Sequence, residues 1–209
     1  MNFQIEKQHK LLLQMYRAFA ATEAKPLAKD VDEREMFPVE TVAKMARYGF
    51  MGIPFPKEYG GAGGDNLAYI MAVEELSKVC GTTGVILSAH TSLCAAPIYE
   101  FGNEAQKQRY LVPLAKGEKL GAFALTEPNA GTDAAGQQTT ADRMDDHYLL
   151  NGSKIFITNA GHADVYIVLA MTDRSKGTRG ISAFIVESDT PGFRIGKKEE
   201  KMGIRGSST

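Results

Sequence analysis

From residue 4 to about residue 116 apolar side chains recur at helical spacing. Leu12, Met15, Tyr16 and Phe19 fall on one stripe at intervals of three and four, which predicts a first helix, ended or bent by Pro26. A second is expected from Pro38 to Tyr48: proline suits a first helical turn, Val42, Met45 and Ala46 form a narrow apolar face, and Gly49 supplies a left-handed stop. Asp65 then caps a helix through Leu67, Ile70, Met71 and Val73 to about Cys80, and the very apolar run over residues 82–101 predicts a helix buried on most sides. Asn103 and Gln106 form a capping box for a last helix that turns Tyr110 and Leu111 inward. The sum is a bundle of five helices.

Beyond Leu120 the period switches to two. Short β-rich runs are read at residues 121–125, 147–150, 154–158, 165–171 and 181–186, separated by turn residues. Asp145-Asp146 reads as a hairpin tip and Ser175-Lys176-Gly177-Thr178 as a mobile loop. The expected fold class is therefore α+β: an all-α helical domain over residues 1–119, then an antiparallel β-sheet or barrel domain over 120–209. The chain closes on Arg205-Gly206-Ser207-Ser208-Thr209 with no terminal element to complete the sheet, so the β domain is expected to be incomplete.

With 209 residues, 44% of them hydrophobic, there is material for one large core or two small ones. The 24 basic and 25 acidic residues are spread along the chain, which removes the electrostatic footprint expected of a nucleic-acid or anionic-membrane binder. The mixed run Lys197-Lys198-Glu199-Glu200-Lys201 reads as solvated surface. Cys80 and Cys94 lie in apolar stretches without C-x-x-C or metal-ligand spacing, and are expected to be reduced and buried; no metal site is expected. Residues 1–10 lack the features of a signal or transit peptide and no stretch is long enough to cross a bilayer, so a cytoplasmic location is expected.

Two segments could carry chemistry. Phe123-Ala124-Leu125-Thr126-Glu127-Pro128-Asn129-Ala130-Gly131-Thr132-Asp133 runs from a strand into a loop of small residues, where Gly131 permits unusual backbone angles and successive N–H groups could nest a phosphate or pyrophosphate; alone, such a loop is more often a plain turn. In Lys154-Ile155-Phe156-Ile157-Thr158-Asn159, alternation puts Phe156 and Thr158 on one face, offering a stacking surface and one directed hydrogen bond to a flat ring. Alone, that too is more often a half-buried strand. Gly60, Gly61, Gly63 and Gly64 lack the context of a P-loop or dinucleotide fold and read as a flexible loop; His9, His90, His147 and His162 show no ligand spacing, and no nucleophilic triad can be assembled.

Taken together, the two segments resemble the flavin-binding pair of the acyl-CoA dehydrogenase family, most closely its short-chain, butyryl-CoA type. Tyr59-Gly60-Gly61, Glu74-Glu75-Leu76, Thr190-Pro191-Gly192 and Lys201-Met202-Gly203 extend the likeness over nearly the whole chain. The resemblance implies a cofactor, FAD, contacted by Phe123, Leu125, Thr126, Gly131, Thr132, Phe156, Ile157 and Thr158: Thr126 at the pyrimidine edge, the Gly131-Thr132 backbone at the pyrophosphate, the Thr158 hydroxyl near N5. Many relatives carry Trp where this chain has Phe156. It further implies a short-chain acyl-CoA substrate, approached by Thr132, Leu93, Ala95, Ala96 and Ser182 with Lys176 nearby; electron-transfer flavoprotein as acceptor; and a homotetrameric parent. The family's reaction takes a proton from the carbon beside the thioester carbonyl and a hydride from the next, and its base is a Glu in a carboxy-terminal helical bundle that this sequence lacks. Glu74, Glu75, Glu100 and Glu127 have simpler roles on helix surfaces or turns, so no catalytic residue is expected within the chain. A flavin oxidase of the same fold, and a non-catalytic flavin- or acyl-CoA-binding module, are the alternative readings.

Overall fold

A computed structural model describes residues 5–209. The expected helix start at Gln4 lies outside them. α1 (Lys7–Phe19) buries Tyr16 and Phe19 against Phe50, with Phe19–Phe50 ring centroids 4.6 Å apart, while Met15 sits at the exposed rim of the expected stripe. Pro26 does not end the helical run. A π-turn (Ala20–Ala24) and a 3-10 turn (Lys25–Leu27) take up the lost backbone donor, and α2 (Ala28–Glu33) continues beyond them. α3 (Val39–Arg47) starts after Pro38 and stops before Gly49, which adopts φ +74°.

α4 (Asn66–Val79) is capped by Asp65, whose carboxylate accepts the Ala68 N–H at 2.8 Å. It buries Ala68, Tyr69, Met71, Ala72 and Leu76 and leaves Leu67 and Ile70 exposed. The glycine-rich stretch before α4 is folded rather than loose. Ala62, Gly63 and Gly64 donate their N–H groups to Gly52, Phe55 and Ile53 carbonyls at 2.9, 2.9 and 2.8 Å. α5 (Gly81–Ser88), a π-segment (Ala89–Ala95) and α6 (Ala96–Phe101) form one continuous, mostly buried run, and the Asn103–Gln106 capping box opens α7 (Glu104–Gln106), which passes through a third π stretch (Lys107–Leu111) into α8 (Val112–Lys116). Leu111 is fully buried and Tyr110 half-buried.

The second half is a five-stranded open sheet: β1 (Gly121–Ala124), β2 (Thr140–Arg143), β3 (Tyr148–Asn151), β4 (Val165–Met171) and β5 (Ile181–Glu187). The α-then-β order stands, but the pairing is mixed rather than wholly antiparallel. β5 lies antiparallel along the full length of β4, so the other edge of β4 is shared by β1 at Val165–Val168 and by β2 at Met171, both parallel to it. β2 and β3 form the hairpin around Asp145-Asp146. β2 went unread because Thr-Ala-Asp-Arg carries almost no apolar signal. Conversely, residues 154–158 form no strand, and 175–178 lie in short 3-10 turns about Gly177.

The two halves share one seam. Cys94, Leu111 and Leu114 pack against Val165 and Ile167, and a Cβ on Gly121 would come within 2.6 Å of Cys94, so only glycine lets β1 lie this close to the buried helix. His90, wholly buried, accepts the Gly121 N–H at Nδ1 (3.0 Å) and donates from Nε2 to the Leu114 carbonyl (3.2 Å). Both cysteines are free and buried. Among the described residues no helix is long and apolar enough to cross a membrane and no three His, Cys, Asp or Glu side chains gather as metal ligands.

Candidate functional site

The two segments singled out in the sequence meet. After β1 the chain turns tightly at Pro128-Asn129, closed by reciprocal Glu127–Ala130 backbone bonds of 3.1 Å, which leaves Gly131 and Thr132 exposed. The Ile155 N–H donates to the Thr126 carbonyl at 2.9 Å, tying residues 154–158 to the end of β1. Leu125, Thr126 and Thr158 are half-buried, while Phe123 leans on the interdomain core.

Phe156 departs from the expected alternation. Its φ is +57° and its side chain is 61% exposed. A non-glycine residue in the left-handed region costs roughly 1–2 kcal/mol, and a ring left in water recovers none of it by burial. Asn159, at φ +69°, follows in the same bend, but its conformation is held from within: it is fully buried and donates through Nδ2 to the Ile86 and Gly121 carbonyls at 3.2 and 3.1 Å. Ile157 is core, so only its backbone can face a ligand.

Gly131 contrasts with Gly121. Its φ lies outside the left-handed region and a Cβ there would meet nothing within 4 Å, so neither backbone strain nor crowding within this chain requires glycine. The expectation of unusual backbone angles there is corrected; what remains is room for close approach by something outside the chain.

Beneath these segments lies a group the sequence did not disclose. Glu127, 6% exposed, accepts the Gln138 and Thr139 N–H groups at 2.5 and 3.0 Å and the Lys154 ammonium at 2.7 Å. Lys154 Nζ also donates to the Leu125 carbonyl (2.9 Å) and Gln137 Oε1 (3.1 Å). Burial alone would raise the Glu127 pKa; the lysine and the backbone amides outweigh it and hold the carboxyl at about 2. Glu127 is thus a structural anchor, not the plain turn residue expected.

The residues expected near substrate differ in exposure. Ala95 is fully enclosed in the core between helices and sheet, where its surface is spent on packing; Ala96 is half-buried and Leu93 is exposed. Ser182, half-buried on β5, lies 3.0 Å from the Thr172 hydroxyl, and Lys176 pairs with Asp173 at 3.1 Å.

Two family models match the chain: the acyl-CoA dehydrogenase N-terminal domain over residues 6–118 and the acyl-CoA dehydrogenase middle domain over residues 122–209. The chain is 66% identical over its whole length to a short-chain specific acyl-CoA dehydrogenase of Clostridium acetobutylicum, covering 55% of it. A chain in the structure described as the electron transferring flavoprotein of Acidaminococcus fermentans superposes with a TM-score of 0.97 at 54% identity, with 100% of this chain and 55% of that one covered. An acyl-CoA dehydrogenase of Bacillus anthracis complexed with FAD gives 0.90 at 39% identity over 98% of this chain and 35% of that one. The chain thus spans about half the length of the first two relatives, and less of the third.

Proposed function

This chain belongs to the acyl-CoA dehydrogenase family, and from that premise we propose that it forms the flavin-holding wall of an FAD-dependent dehydrogenase that oxidises short-chain acyl-CoA to 2-enoyl-CoA and passes electrons to electron-transfer flavoprotein. The observation that carries the reading is Phe156: a strained, exposed ring, fastened through Ile155 to the Thr126 strand end, has its cost explained if a flat ligand rests on it. The open space over Gly131 supports the same reading, as does the FAD held by the Bacillus anthracis relative.

In this reading the Gly131-Thr132 backbone faces the pyrophosphate, Thr126 the pyrimidine edge, and the Thr158 hydroxyl donates to the N5 edge. The flavin, when bound, supplies the hydride acceptor. Thr158 orients that acceptor, and Phe156 keeps water from one part of it. None of Glu74, Glu75, Glu100 and Glu127 suits the role of base. Glu127 is held at about 2 and has little affinity for a proton; Glu75 is locked by Arg17 at 3.2 Å and Lys78 at 2.8 Å; Glu74 pairs with Lys78 at 2.9 Å. Glu100 is on the solvent side of α6. The reading therefore assigns the base to the part of the relatives' length that this chain does not cover.

The test is anaerobic addition of butyryl-CoA to the full-length protein, which is expected to bleach a bound flavin that electron-transfer flavoprotein then reoxidises. In a parallel assay in air, steady hydrogen peroxide formation, with dioxygen rather than electron-transfer flavoprotein reoxidising the flavin, would overturn the dehydrogenase assignment in favour of an oxidase. The 209-residue chain alone is expected to retain FAD weakly and to show no turnover; a yellow, active preparation of it would refute the division of labour proposed here.

A further inference from the structure

Lys154 is 9% exposed, and burying an ammonium costs several kcal/mol unless every proton finds an acceptor. Here all three do, and the acceptors come from separate stretches: the Leu125 carbonyl, Glu127 Oε1 and Gln137 Oε1 at 2.9, 2.7 and 3.1 Å. The neighbouring Ile155 N–H takes the Thr126 carbonyl, so residues 154–155 grip three successive residues, 125, 126 and 127. Glu127 extends the grip to the start of β2 through the Gln138 and Thr139 amides.

A cation pinned from three directions has one place to sit, whereas an apolar side chain of the same volume could slide. The cluster also lies close in sequence to the proposed flavin contacts: Glu127 follows Thr126 directly, and Lys154 stands two residues before Phe156. We infer that Lys154 and Glu127 are a positioning pair, which fixes the spacing between the Thr126 strand end and the Phe156–Thr158 bend so that both halves of one ligand are met at once. The inference rests on the flavin reading above for the identity of that ligand. The pair itself touches no reacting atom; it acts through the backbone of the segments it joins.

Two measurements on Lys154→Met separate this role from ordinary stability and from the flavin reading. In the 209-residue chain without FAD, amide hydrogen exchange at Ile155 is expected to speed up about tenfold or more beyond whatever rise the slow amides of α4 show, because the loss opens one junction in addition to lowering the stability of the whole fold. In the full-length protein, FAD titrated by quenching of flavin fluorescence is expected to bind about tenfold more weakly than in the parent. If Ile155 exchange rises only in step with α4, the pair is merely part of general stability and the inference fails. Exchange selective for Ile155 with unchanged FAD affinity would overturn the link to the cofactor. If the unsubstituted full-length protein binds no FAD, the flavin reading fails, and the exchange measurement still decides whether the pair sets the spacing. Should Lys154→Met not fold, Glu127→Gln keeps the shape and removes only the charge, and is read by the same two measurements with the same signs.

Discussion

Glu75 in the helical half and Glu127 in the β half are equally buried, each 6% exposed, yet they do different work. Glu75 is held only by side chains, Arg17 from α1 and Lys78 from its own helix, and both cations keep about half their surface in water. Glu127 is held by two backbone amides and by a lysine whose side chain is only 9% exposed. The first fastens one regular element to another whose conformation is already set by helical hydrogen bonds. The second determines the path of loops that have no ladder of their own. Buried charge is therefore a staple where secondary structure exists and a scaffold where it does not.

The sharpest way to break this comparison is Lys154→Met, which leaves a carboxylate buried without its counter-ion. Stability is expected to fall by about 3–5 kcal/mol, seen as a lower urea midpoint; a loss under about 1 kcal/mol would make the two carboxylates equivalent.

Acid unfolding sharpens the contrast by range of pH. His90 is buried neutral, with burial lowering its pKa to about 4 from the usual 6.5. The unfolded chain binds that proton first, so stability falls as the pH drops from 6.5 towards 4, by up to roughly 3 kcal/mol. Glu127 has the same sign in a lower window: its carboxyl is depressed from 4.5 to about 2, so its contribution is complete above 4.5 and is lost as pH falls through 2. Urea midpoints between about pH 7 and pH 3 should therefore show a loss above pH 4.5 that shrinks in His90→Gln, leaving the part due to His162, whose pKa burial also lowers, and that persists in full in Glu127→Gln.

Glu75→Gln should cost about 1–2 kcal/mol, because its partners can return to water. Amide exchange at Ile155 in that variant should stay tied to global stability; a selective rise there would couple the two halves in a way the comparison denies. Smallest of all, Gly131→Ala should move the melting midpoint by an amount equivalent to less than about 0.5 kcal/mol, since the added methyl meets open space. FAD retention by the full-length protein should nevertheless drop, and unchanged retention would remove the reason offered for glycine at that position.

Much of the helical half was legible because its signals are local. Asp65, Asn103 with Gln106, and Gly49 each act within one turn of the backbone, and each sits where the sequence placed it. The exposure of Leu67 and Ile70 was not legible, because hydrophobicity alone does not say which side of α4 the neighbouring helices occupy. The error at residues 154–158 is more instructive. Ile155-Phe156-Ile157-Thr158 alternates well enough for a strand, but β4 has only two edges: β5 fills one and β1 with β2 the other, so the segment is left to bend, with Phe156 at positive φ. The Glu127–Lys154 pair had no local signal at all, because its members lie on opposite sides of the β2–β3 hairpin in the chain.

By itself, then, the order of residues determined the helices with their caps, the switch of period after Leu120 and the two short segments that belong together. Those depend on steric and hydrogen-bonding preferences that act over a few residues. Only the tertiary structure decided which apolar faces turned inward, that Phe156 would stand exposed in a strained bend, and that a buried lysine and glutamate would hold the two segments in register. Such outcomes hang on which surfaces compete for the same space and on charges that become strong partners only once water has been excluded around them.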